Sequence, residues 1–181
     1  SRKNMSAGLG NLYHSVNDKQ KEKIFNRAIE HNNLPLLSNL STNLNSITQD
    51  TDKLDKLADV GSVHNHTELL SNVYNNYITS PETRRKIIEH SFKHKNLDLM
   101  SNIASNVSGS DNLNKMIDLG IEHNHTKLLK AVYANTSTGQ PKIHKHALDS
   151  KNYALLEHMP YGLSKEHISG LKKKKKKHGV E

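Results

Sequence analysis

The stretch Gly120-Ile121-Glu122-His123-Asn124-His125-Thr126-Lys127-Leu128-Leu129 is nearly a copy of Gly61-Ser62-Val63-His64-Asn65-His66-Thr67-Glu68-Leu69-Leu70. Internal similarity constrains a fold more than composition does, because each copy must fold alike and bury its apolar side against something equivalent. With the first Leu of each pair as an anchor, the pattern extends to Leu36, Leu69, Leu99, Leu128 and Leu155, at spacings of 33, 30, 29 and 27 residues. That is the length of a two-helix unit.

Positions relative to the anchor carry the argument. Eight residues before it stand Ala28, Gly61, Ser91, Gly120 and Ala147, all small; twelve before stand Ile24, Leu57, Ile87, Met116 and Ile143. Directly after it come Leu37, Leu70, Met100, Leu129 and Leu156, and four after come Leu40, Val73, Ile103, Val132 and Met159. These spacings place one apolar stripe on a first helix and another on a second, with an Asn/His-rich tetrad between them. The small residue permits a close helix crossing. Pro81 and Pro141 fall in first turns, where a missing N–H costs nothing, and Asp18, Asp52 and Ser110-Asp111 offer comparable starts. Thr67 and Thr126, and Asn33, Asn96 and Asn152, are the expected caps of the second helices. No segment alternates with period two, so the expected fold is all-α: a solenoid of about five helix–turn–helix repeats of 27–33 residues plus an N-terminal half-repeat. Residues 1–17 form the half-repeat, since Leu9-Gly10-Asn11-Leu12-Tyr13 echoes Leu70-Ser71-Asn72-Val73-Tyr74; residues 18–162 are the repeat domain and 163–181 a basic tail.

Composition agrees with a thin architecture. Only 33% of residues are apolar and 4% aromatic, too little for one thick core but enough for a layer one helix pair deep. Cys is absent, which excludes disulfides and thiolate chemistry. No stretch reads as a membrane span or a signal peptide, and the expected location is intracellular or within a virus particle.

Residues 18–159 resemble the ankyrin family at the level of helix pattern, most clearly where residues 121–132 run from the end of one helix through a His-Asn-His turn into the next. Ser/Thr/Asn-rich linkers stand where ankyrin repeats carry a Gly-rich finger. The resemblance implies a curved stack that binds a protein partner.

Chemistry-bearing groups were weighed against simpler roles. His90 and His94 are spaced to face one metal ion from a helix, but no third ligand is marked, and His64, His66, His123 and His125 recur as turn residues do. No phosphate loop, nucleophile elbow or carboxylate pair is present, so no catalytic residue, metal site or cofactor is expected and the chain reads as a non-enzyme. Tyr13, Tyr74 and Tyr133 recur one place beyond the +4 position; packing is the simpler reading, and a ladder of partner contacts the sharper one.

The formal charge is +8, and six of those charges lie in Lys172, Lys173, Lys174, Lys175, Lys176 and Lys177, which leaves +2 on the rest. Six adjacent ammonium groups repel one another and suit an anionic partner, either nucleic acid or an acidic protein surface. Two functions are therefore expected: an interaction or scaffold module, or a virus-particle component within a larger assembly. The second rests on the opening at Ser1 and the close at Gly179-Val180-Glu181, which resemble phage head proteins matured by cleavage after Gly-x-Glu.

Overall fold

The computed structural model describes residues 8, 12, 13, 15–42 and 49–159. Among them every regular element is a helix and no strand occurs, as the periodicity predicts. The basic tail, all six of its lysines and most of the proposed half-repeat lie outside the described residues.

Contacts divide the chain into two compact units, Ser1–Leu99 and Met100–Glu181. In the first, α1 (Asp18–Glu30) and α2 (Leu34–Thr42) form one hairpin, α3 (Thr51–Val63) and α4 (Thr67–Asn75) a second, and α5 (Pro81–Lys93) opens a third. Within this unit α1 packs on α3 and α3 on α5, while α2 packs on α4. The third hairpin continues through α6 (Leu97–Ile103) into a 3-10 turn, Ala104–Asn106. The second unit contains α7 (Ser110–Glu122), α8 (Thr126–Tyr133), α9 (Gln140–Asp149) and α10 (Tyr153–Leu156). There α7 packs on α9 and α8 on α10. In each unit, first helices thus meet first helices and second helices meet second helices. All five anchor leucines are buried, as are the residues that follow them.

The five turns share one backbone path. Asn32, Asn65, Lys95, Asn124 and Lys151 each take a positive φ of 45–53°. The next amide bonds back to the carbonyl of the small residue at −8: Asn33 to Ala28, His66 to Gly61, Asn96 to Ser91, His125 to Gly120 and Asn152 to Ala147, at 2.8–2.9 Å. A second bond closes inside the first, for example Asn65 N–H to Ser62 O at 3.2 Å. This is the Schellman ending, which satisfies the last carbonyls of the first helix.

The N-termini sit slightly upstream of the expected starts. Asn17 caps α1 in a reciprocal capping box with Gln20, Asp50 caps α3 through the amides of Asp52 and Lys53, and Ser80 caps α5 ahead of Pro81. Gly109, at φ +93°, precedes α7 without a side-chain cap. An aspartate inside the first turn complements the helix dipole as well as a cap would, so composition alone does not separate the two positions.

The small residue at −8 admits the helix of its own hairpin. A Cβ added to Gly120 would lie 2.7 Å from Leu129 Cδ2, and one on Gly61 would lie 2.9 Å from Leu70 Cδ2. Gly120→Val is expected to lose about 1–3 kcal/mol through overpacking. Lys151→Gly, which removes the strain of a side chain at positive φ, should gain about 0.5–1 kcal/mol. Urea denaturation midpoints measured on both variants check the opposite signs.

Candidate functional site

The turn residue three before each anchor does two jobs. Its amide completes the Schellman ending, and its side chain then caps the second helix by accepting the anchor leucine's own N–H. Asn33 Oδ1 accepts from Leu36, Asn96 Oδ1 from Leu99 and Asn152 Oδ1 from Leu155, at 2.9–3.3 Å. In the other two hairpins the acceptor is an imidazole: His66 Nδ1 takes the N–H of Leu69 and His125 Nδ1 that of Leu128, both at 3.2 Å. The expectation that Thr67 and Thr126 cap these helices is thereby corrected. Both threonines lie one place too late for that geometry, and their hydroxyls serve a different bond.

That bond belongs to a polar clamp that occurs twice. In the first unit Asn65 Oδ1 sits 3.1 Å from His90 Nε2 and accepts from Asn96 Nδ2 at 2.9 Å, while Asn96 Nδ2 also reaches Thr67 Oγ1 at 2.9 Å. In the second, Asn124 Oδ1 sits 3.1 Å from His146 Nε2 and accepts from Asn152 Nδ2 at 3.1 Å, with Asn152 Nδ2 to Thr126 Oγ1 at 2.8 Å. An Asn oxygen only accepts, so Nε2 is the donor in both imidazoles. Each clamp ties the turn of one hairpin to the first helix and turn of the next. Residue-by-residue reading missed it. The signal was present, because the near-identical stretches at 61–70 and 120–129 lie two anchors apart.

Charged groups also link successive first helices within each unit. Lys53 Nζ on α3 pairs with Glu22 on α1 at 2.8 Å, Thr83 on α5 bonds Asp55 on α3, and Lys142 on α9 pairs with Asp118 on α7. The Lys53 ammonium holds the Glu22 carboxyl below its ordinary range. Asn72 on α4 reaches Ser41 Oγ on α2 at 3.0 Å.

No family model, curated protein or solved structure matches this chain.

Tyr13, Tyr74 and Tyr133, the residues of the proposed contact ladder, are 1%, 2% and 6% exposed, so their rings are part of the core. Arg84 lies over the Tyr74 ring at 5.9 Å. His90 and His94 do come together, with ring centroids 4.3 Å apart and planes inclined by 32°. The Nε2 of His90 is turned to Asn65, however, and among the described residues no group of three or more His, Cys, Asp or Glu is placed to hold a metal ion.

Burial, with the neighbouring His94 and Lys93, pushes the His90 imidazole below its ordinary value of 6.5. Unfolded chain then binds protons more readily than folded chain, so this contribution to stability is complete above that value and is lost as pH falls through the lowered one. Thermal melts from pH 7 to pH 5 should show falling stability, with a shallower fall in His90→Asn. At neutral pH, His125→Ala should cost about 1 kcal/mol while His125→Asn, which restores the cap used in three other hairpins, should cost far less. Paired chemical denaturation curves check this.

Proposed function

We propose that the chain is a non-enzymatic α-solenoid of about five helical hairpins, a protein-interaction or scaffold module whose lysine-rich tail contacts an anionic partner. The observation that carries this reading is the recurrence of the same turn and the same clamp at equivalent positions. Side chains with catalytic potential, His66, His90, His125 and His146, are committed to capping amides and joining hairpins. A surface built from repeated, mutually satisfied units offers shape and spacing to a partner, and in repeat folds stability is close to a sum over units and their neighbours. The helix pattern shared with ankyrin repeats supports protein binding as the use of such a surface. Lys172 through Lys177 supply a separate electrostatic handle, suited to phosphate or acidic side chains.

The nearest-neighbour character is tested by a double-mutant cycle. Asn124→Ala and Asn152→Ala should couple by about 0.5–1.5 kcal/mol, and additive losses would count against a stacked array. The tail is tested by titrating duplex DNA and RNA with the parent chain and with a variant carrying Gln at all six lysines. The parent should bind with strong salt dependence, and the variant should lose at least about tenfold with a flatter dependence on salt. Equal affinity in both would remove phosphate contact from the proposal.

A further inference from the structure

Successive hairpins differ in kind. The turns His64-Asn65-His66-Thr67 and His123-Asn124-His125-Thr126 present an Asn oxygen and a hydroxyl, while the hairpins that follow them present the donors His90 with Asn96 and His146 with Asn152. Charge follows the same alternation. Counting Lys and Arg against Asp and Glu, α1, α3, α5, α7 and α9 carry +1, −1, +2, −2 and +1. The first helix of a presenting hairpin is acidic and that of the hairpin that clamps it is basic.

The first hairpin has the cap and helix charge of the clamping kind, although Asn32 stands where Asn65 and Asn124 do in the presenting turns. Its cap is Asn33, the counterpart of Asn96 and Asn152, and its helix is basic. At the place of His90 and His146 stands Arg27, whose guanidinium offers N–H donors to the same kind of oxygen. In α5 and α9 the face that bears these residues is covered by the preceding acidic helix, and Leu57, Ile87, Met116 and Ile143 at position −12 are 0% exposed. Ile24, their counterpart, is partly exposed. A largely apolar groove of about 460 Å³ opens there, lined by Lys23, Ile24, Arg27, Ala28, Asn33 and Leu36.

We infer that this groove is a docking site for a partner that supplies an acidic amphipathic helix ending in an Asn-x-Thr turn. Its apolar stripe lies on Ile24, its carboxylates face Lys23 and Arg27, and its turn Asn accepts from Arg27. The inference rests on the stacked-hairpin reading above, because it takes the chain's own internal joints as the template for an external one.

The probe is a synthetic peptide reproducing residues 110–126, the acidic helix with Asn124 and Thr126, titrated into the full chain and followed by backbone-amide NMR, which reads affinities into the millimolar range. Shifts should concentrate between residues 23 and 36. Arg27→Glu and Ile24→Asp in the chain, and Asn124→Ala in the peptide, should each weaken binding by about fivefold or more, and added salt should weaken it further. Both chain substitutions lie on the partly open face, so unchanged circular dichroism separates lost binding from lost folding. Saturating peptide without shifts, or binding indifferent to these substitutions, overturns the inference. If the Asn124/Asn152 coupling persists in that case, the docking site alone falls; if the coupling is also absent, the stacked-hairpin reading falls with it.

Discussion

Each hairpin depends on the capping of one backbone amide, that of the anchor leucine. A helix start leaves its first amides without intrahelical partners, and here a single turn residue both ends one helix and begins the next. Because that residue's amide and side chain are both committed, the two helices meet at a set angle with only one residue at positive φ between them. The leucine whose amide is held is itself buried in the core. Capping and burial therefore fix the same residue, and the turn cannot loosen without withdrawing apolar surface.

The helical pairs were legible in the sequence for a physical reason: apolar spacing survives wherever a side chain must be excluded from water. The anchors, the residues at +1 and the small residues at −8 were all found that way. The left-handed turn residue was not, because Asn32, Asn65 and Asn124 share that conformation with Lys95 and Lys151, and nothing in a lysine announces a positive φ. The imidazole caps were hidden for a related reason. Ser, Thr, Asp and Asn dominate capping preferences, so Thr67 and Thr126 attracted the assignment although the residues before them hold the geometry.

The clamp shows where position-by-position alignment loses information. Aligning all five hairpins averages the two kinds together, and what then recurs is only what both kinds share. Their difference lies at −9, −3 and −2, where the donors of one kind and the hydroxyl of the other meet across the clamp. Tyr13, Tyr74 and Tyr133 illustrate the converse: they recur as regularly as a contact ladder would, and their rings are buried. The proposed function left little mark in the sequence beyond a charged tail, since an interaction surface needs no fixed set of reactive groups.

The alternation of presenting and clamping hairpins also bears on how such a chain can lengthen or shorten. Loss of any single interior hairpin sets like against like, two carboxamide acceptors or two donor sets face to face, and the clamp bonds are not remade. Removing or copying hairpins in pairs leaves every joint chemically intact. A pair of hairpins is thus the smallest step in length that keeps the clamp, roughly sixty residues, the distance separating the two copies of the His-Asn-His-Thr turn.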